Sequence, residues 1–352
     1  MHVAWRCLFR LSVHSEYTAS KFVNFARVDS FCSKMSKTVP NVDLGNGCTI
    51  PGLGYGTYLA KQGQGIDLVK KAIDAGYRHI DTAFLYENEV EVGEAIRAKI
   101  AEGVIKREDV FVTSKLWNTF HHPDHVAEAF QRSFDMLNLE YIDLYLMHSP
   151  MGLEFQGYEY SNMQPKDADG NSLFSEVDYV ETWKAMEKLV RSGKVRSIGL
   201  SNFNSEQTKR ILDIAEIKPV NNQIEVNPGW NQKKLIEFCK SHGVTVTAFG
   251  PMGRPHRATY GNKTALGDPK VLEIGKKYGK TDGQVILRYL IQLGTIPIPY
   301  STKEERIRQN IDVFDFSLTD EEMQYMDTFQ SERTLSFSPL KNHKYYPFDA
   351  EF

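Results

Sequence analysis

The sequence predicts an α/β protein built as a single (β/α)8 TIM barrel with long loops over its C-terminal mouth. Three observations carry this reading. Eight short apolar runs recur along the chain without polar alternation, as strands buried on both faces do. Amphipathic segments of helical period separate them. Strand starts fall about 25 to 35 residues apart, two longer gaps excepted, which is the spacing of βαβ units. Eight such units favour a closed barrel over an open doubly wound sheet.

The elements follow in order. Run 51–57 precedes a helix over 65–75, with Ile66, Val69 and Ile73 on one face. Run 77–81 leads to helix 89–101 (Val92, Ile96, Ile100), and run 110–116 to helix 125–137 (Val126, Phe130, Phe134). Run 142–147 is followed by a polar gap, 152–177, and then by helix 178–191, which Gly193 ends as a C′ glycine. Run 195–200 leads to helix 204–214, opened by Asn204 as an N-cap. Runs 220–226, 244–249 and 295–298 complete the eight. A second gap, 253–266, and a trailing segment, 330–352, contain no regular period. In a barrel all three irregular segments gather over the mouth as walls of a ligand pocket, since long structureless segments are usually functional.

Composition narrows the function. The chain has 352 residues and is 41% hydrophobic and 25% charged, which suits a globular protein rather than a disordered or fibrous one. Length alone would suggest two domains, but one barrel spanning 38–352 absorbs it. No apolar run approaches the ~20 residues that span a bilayer, so no membrane partner is expected. The net charge of -3 offers no footprint for nucleic acid. Four cysteines (Cys7, Cys32, Cys48, Cys239) form no tight cluster, which disfavours a structural zinc or a disulfide framework.

Residues 1–37 differ from the rest. They carry Arg6, Arg10, Lys21, Arg27, Lys34 and Lys37 against Glu16 and Asp29, a net +4, so the remaining 315 residues sum to -7. This basic, hydroxyl-rich, acid-poor stretch reads as an unstructured extension, or alternatively as a mitochondrial transit peptide. Met35 opens a run, MSKTVPNVDLGNG, that resembles a natural start. The expected location is cytoplasmic, with the mitochondrion as the alternative, and the expected state is a monomer.

Catalytic groups in such a barrel belong at the C-terminal strand ends. Three consecutive strands end in ionisable residues: HIDTAFLY places Asp81 at a tip and Tyr86 on the next loop, VFVTSKLW places Lys115, and IDLYLMHSP places His148. The types suit one chemistry. Moving a tyrosine from pKa 10 to about 7 takes roughly 4 kcal/mol of phenolate stabilisation. A nearby ammonium can supply it, and a buried carboxylate can hold that ammonium. A histidine can polarise a carbonyl by hydrogen bonding. What is missing is a hydride donor. A metal-dependent hydrolase would need more His and Asp strand ends than these, and Lys115 would repel the cation. GLGYGT (52–57) is a poor dinucleotide fingerprint, because its third glycine is misplaced; it reads better as tight packing at the barrel entrance.

With these residues in place the chain resembles the aldo-keto reductases. The motifs are GYGTY (54–58), GYRHIDTAFLYENEVEVGEAI (76–96), KLWNTFHHP (115–123), LEYIDLYLMHSP (139–150), GKVRSIGLSNFN (193–204) and STKEERIRQN (301–310). The resemblance implies NADPH-dependent reduction of a small aldehyde or ketone, with Tyr86 as general acid, Lys115 and Asp81 behind it, and His148 orienting the carbonyl. It implies cofactor contacts at Gly56, Thr57, Tyr58 and Asp81, at Ser201, Asn202 and Gln223 around the nicotinamide amide, and at Phe249 on its face. Gly250, Pro251 and Met252 fall at the pyrophosphate loop; Gly250 replaces a common serine. Ser301, Thr302, Arg306, Gln309 and Asn310 fall at the 2′-phosphate and adenine. Tyr300 stands where a lysine is common, so NADH is the alternative cofactor. Retained His148, where steroid double-bond reductases carry glutamate, favours carbonyl reduction. Tyr58, Tyr86, Trp117 and His148 line the implied substrate pocket, with Phe120, Trp230 and the irregular segments completing it. The rival reading is a redox-sensing regulatory barrel that binds NADPH without turning over.

Overall fold

The computed structural model describes residues 38–253, 264–350 and 352. The leader, 1–37, and the middle of the second irregular segment lie outside the described residues.

Eight parallel strands form one sheet in strict chain order: β3 (Tyr55–Gly56), β4 (His79–Asp81), β5 (Phe111–Leu116), β6 (Ile142–Met147), β7 (Val195–Ser201), β8 (Asn221–Glu225), β9 (Thr245–Phe249) and β10 (Thr295–Pro297). All eight expected runs contribute a strand. The ring closes through backbone contacts, because the amides of Gly54 and Gly56 donate to the carbonyls of Pro297 and Pro299 at 3.0 and 3.2 Å. Both positions require glycine. A Cβ on Gly54 would sit 2.4 Å from the His79 ring, and one on Gly56 would sit 2.9 Å from the Ile298 carbonyl. GLGYGT is therefore the seam of the barrel.

The expected strand over 51–57 is corrected in one respect. Its first residue belongs to an antiparallel hairpin, β1 (Asn41–Asp43) and β2 (Thr49–Pro51), which the sequence reading missed. The hairpin plugs the N-terminal end. Its Leu44 and Ile50 pack with Phe111, Leu144, Leu146, Val220 and Ile296 from the strands.

Ten α-helices occur among the described residues: α1 (Gly65–Asp74), α2 (Glu89–Ala101), α3 (Pro123–Leu137), α4 (Tyr179–Arg191), α5 (Ser205–Ile214), α6 (Lys233–Ser241), α7 (Pro269–Tyr278), α8 (Asp282–Gln292), α9 (Glu304–Ile311) and α10 (Asp320–Met326). Local sequence explains their starts. Asn204 and Gln207 form a reciprocal capping box at α5, as do Thr281 and Gln284 at α8 and Thr319 and Glu322 at α10. Pro123 and Pro269 sit in the first turns of α3 and α7. Gly193 follows α4 with φ +76°, as expected. No helix among the described residues is long and apolar enough to cross a membrane.

The segment 152–177 is pinned by rings. Tyr160 stacks on Phe84 at 4.8 Å and Tyr158 on Phe120 at 5.3 Å. The trailing segment is fastened to this loop and to α5. His343 Nε2 lies 3.0 Å from the Gly152 carbonyl, and Lys344 Nζ pairs with Glu176 at 2.7 Å. Asn204 Nδ2 donates to the Pro347 carbonyl and Gln207 Nε2 to that of Tyr345.

Candidate active site

Strand geometry decides which groups face the mouth. Neighbouring residues of a strand point to opposite sides. On β5, Ser114 points outward and donates to the buried Glu89 of α2, while Lys115 points inward. Lys115 Nζ lies 2.7 Å from Asp81 Oδ1, the last residue of β4, and donates also to the Thr82 carbonyl at 2.8 Å. The two side chains are 0% and 2% exposed. Tyr86 sits half-exposed in the short helical turn after β4, its ring centroid 4.9 Å from Lys115 Nζ. His148 follows β6 directly, its ring edge-on to Tyr86 at 5.8 Å and to Trp117 at 5.2 Å. All four sequence-chosen residues thus converge.

The electrostatics differ from expectation at one point. Burial first, then the charge of Asp81 and the nearby Tyr58, hold the Tyr86 phenol well above its usual 10. The reading from Lys115 alone anticipated a lowered value. Burial dominates at the phenol, and it also pulls the Lys115 pKa down against the support of Asp81 and Glu89. His148 is held well below its usual 6.5 by burial, by Lys115 and by His121, so its ring is neutral. Burial raises Glu89 to about 7 against its hydrogen bond from Ser114 and the nearby charge of Lys115.

The expected cofactor residues stand on β3, β4, β7, β8 and β9, on the loops that follow them, and after β10 along α9. Thr57 donates through its hydroxyl to the Asp81 carbonyl at 2.9 Å. Ser201 Oγ donates to the Gln223 carbonyl at 2.9 Å, and Asn202 Nδ2 to the His148 carbonyl at 2.8 Å. Asn202 adopts φ +61°, and its Oδ1 is buried without a hydrogen-bond partner among the described residues. Gln223 has an unexpected neighbour: its Nε2 donates to Asp81 Oδ2 at 2.6 Å. Phe249 ends β9 half-buried, followed by Gly250 at φ +60°, a left-handed turn that suits glycine better than serine. Pro251 is buried and Met252 half-buried beside it. Ser301 Oγ accepts from the Lys303 amide, Thr302 is exposed, and Gln309 donates to Glu305 at 3.1 Å. Asn310 is half-buried on α9 beside it. Arg306 stands exposed on α9 with no ion-pair partner among the described residues. Tyr300, in the place of a common lysine, donates to the Leu59 carbonyl at 3.2 Å and leans on Tyr55.

The pocket wall needs one correction. Phe120 is wholly buried and lies under the 152–177 segment, so it supports the wall without lining it. Trp117 is nearly buried too, and its indole N–H holds the Met163 carbonyl of that segment at 2.7 Å. Tyr58 is 44% exposed, its ring 5.1 Å from Tyr86. Trp230 joins the trailing segment: Arg333 lies 5.0 Å from its ring and 3.9 Å from that of Phe348.

Two site residues escaped the sequence reading. Asn88 is buried and ties Thr57 to Thr82, accepting from the Thr82 hydroxyl at 2.7 Å and donating to the Thr57 carbonyl at 3.0 Å. Glu225, at the end of β8, is wholly buried and accepts from the amides of Thr334 and Leu335 at 3.0 Å and from the Thr334 hydroxyl. A carboxylate inside the apolar run 220–226 was the available signal.

A barrel with an ammonium, a carboxylate, a phenol and a neutral imidazole on adjoining strand ends belongs to the class of (β/α)8 oxidoreductases. Comparison with known proteins makes this particular. The Aldo/keto reductase family model matches residues 52–331, and the chain belongs to that family. It is 45% identical to aldo-keto reductase family 1 member A1-A of Danio rerio over 320 residues, covering 87% of this chain and 98% of the relative. Among solved structures it is similar to the aldose reductase of Schistosoma japonicum, with a TM-score of 0.82, 43% identity, and 87% and 98% of the two chains covered. It is similar also to a Bombyx mori aldo-keto reductase in complex with NADP, with a TM-score of 0.79, 42% identity, and 88% and 99% covered.

Proposed function

We propose that Tyr86 is the proton donor as this NADPH-dependent reductase converts aldehydes and ketones to alcohols. The carrying observation is the buried Lys115–Asp81 pair directly beneath a half-exposed tyrosine and a neutral histidine. The residues present fit a dinucleotide. Among the described residues, Asn202 Oδ1 is an orphaned acceptor suited to an amide N–H, and Arg306 is a planar cation with no carboxylate partner. Ser201, Asn202 and Gln223 would hold the nicotinamide end. Phe249 would stack on the ring, residues 250–252 would follow the pyrophosphate, and Ser301, Thr302, Arg306, Gln309 and Asn310 would take the phosphorylated ribose and adenine. Bound NADPH supplies the hydride.

The chain's own groups do the rest. Because its phenol is held above 10, Tyr86 carries its proton at neutral pH and delivers it to the substrate oxygen. Lys115 stabilises the phenolate that this leaves, and Asp81 keeps the ammonium charged and aimed. Neutral His148 donates to the carbonyl oxygen and polarises it. Tyr58, Trp117 and the ring-pinned walls favour apolar and aromatic carbonyls.

The test is oxidation of NADPH in the presence of an aromatic aldehyde. Turnover that Tyr86→Phe abolishes, with NADPH binding retained, supports the assignment. Tight NADPH binding without turnover on any aldehyde or ketone would instead favour the regulatory barrel.

A further inference from the structure

Gln223 and Asp81 lie 142 residues apart, both buried, and are joined by a hydrogen bond of 2.6 Å. With Lys115 on Oδ1 and Gln223 on Oδ2, both carboxylate oxygens of Asp81 are committed. The backbone registers Gln223 for this. β8 pairs with β7 so that Gln223 stands opposite Ser201, and the Gln223 carbonyl takes the Ser201 hydroxyl and the Asn202 amide. Its side chain therefore reaches across the barrel mouth rather than along its own wall. A side-chain amide that donates through Nε2 keeps Oε1 free to accept. One residue can thus bond to Asp81 and to a cofactor amide at once.

We propose that Gln223 is a positioning residue for the Asp81–Lys115 pair, and that it links cofactor occupancy to the group that supports the proton donor. The second clause rests on the function proposed above; the first does not. The linkage has a physical basis. An acceptor bond at Oε1 polarises the same amide and strengthens its donation from Nε2. Asp81 is then held harder against Lys115 when the nicotinamide amide is bound. Without Gln223, Oδ2 loses its buried donor, and the carboxylate is free to turn from the ammonium.

The charged and titratable groups around Lys115 are Asp81 on β4, Tyr86 after it, His79 on β4, Glu89 on α2 and His148 after β6, with Tyr58 beyond Tyr86. His79 and His148 are neutral, so Asp81 and Glu89 are the carboxyl groups supporting the ammonium.

The experiment compares the parent protein with Gln223→Leu and Gln223→Glu. The first readout needs no cofactor: the titration of Tyr86 by NMR in protein labelled at the tyrosine ring carbon, assigned with Tyr86→Phe. The second is the pH profile of kcat at saturating NADPH. Gln223→Leu is expected to move the Tyr86 titration and to bring the alkaline limb of kcat down by about one pH unit, the worth of one charge-assisted bond. Gln223→Glu is expected to restore the parent profile only at low pH, where a protonated carboxyl can donate to Asp81. A Gln223→Leu protein that binds NADPH weakly yet keeps the parent Tyr86 titration and kcat profile would overturn the proposal. Absence of turnover in the parent would sink the proposed function instead, while the cofactor-free titration would still decide the role of Gln223.

Discussion

Lys115 Nζ and Asp81 Oδ1 lie 2.7 Å apart in a position closed to solvent, and neither charge is tolerable there alone. Breaking a buried pair from one side costs about 3–5 kcal/mol, because a bare charge remains. Lys115→Met should therefore lower both turnover and thermal stability. Adding Asp81→Asn should recover much of the stability and none of the turnover. Calorimetry beside a steady-state assay checks this; a single variant as stable as the parent would refute it.

Tyr86→Phe removes the proton donor but keeps the ring that packs on Tyr58 and His148. General acid catalysis is worth about 10²–10⁴ in rate, so kcat should fall by about a thousandfold. NADPH affinity, read by protein fluorescence, should stay within about twofold, since the loss is one made in the transition state.

Acid should destabilise the fold through its buried histidines. Burial brings His79 and His121 to about 3 and His343 to about 4. An unfolded chain binds these protons near 6.5, so stability is complete above that pH and falls below it, down to the folded values. Each histidine contributes a slope of about 1.4 kcal/mol per pH unit in that window. His121, whose two ring nitrogens have no hydrogen-bond partner among the described residues, is the residue to remove. Urea melts of His121→Gln between pH 6.5 and 4 should show a shallower decline than the parent by about that slope.

Tyr300 donates to Leu59 and leaves Arg306 as the cation at the expected phosphate site. Tyr300→Lys should raise the preference for NADPH over NADH by about tenfold, about 1.4 kcal/mol for one added phosphate contact. Paired KM measurements with both cofactors would show it. Arg306→Ala should move the preference the other way.

Glu225 holds the trailing segment by charge-assisted bonds to Thr334 and Leu335. Glu225→Ala leaves those donors empty and should cost several of the roughly 1.5–3 kcal/mol bonds made to a charged acceptor. Residues 330–350 should become faster to cleave in limited proteolysis, and KM should rise for bulky carbonyls more than for small ones.

The eight strands are legible in the sequence because most are short β-type runs at βαβ spacing; spacing carries 77–81 and 220–226, where Arg78, His79, Asn221, Asn222, Gln223 and Glu225 interrupt the apolar pattern. Asp81, Lys115 and His148 are legible because an ionisable group at the end of a strand run has few other reasons to be there, and Tyr86 because it follows Asp81 on the next loop. The hairpin Asn41–Asp43 and Thr49–Pro51 is not, since three-residue strands show no period. The bond from Gln223 to Asp81 is not either, because nothing in local sequence says which way an amide turns. The rise in the Tyr86 pKa was misjudged because sequence shows which charges are near but not how dry the site is.

The fastening of residues 334–347 onto Glu225, Asn204, Gln207 and Gly152 has a consequence in time. Those partners lie 109 to 191 positions earlier in the chain. During synthesis the strands and their catalytic groups emerge well before the wall that completes the pocket. At about 5–20 residues per second, the barrel waits seconds for its last segment. A nascent chain holding all eight strands but not yet residues 334–347 would thus have an assembled catalytic quartet with one side of its pocket still open.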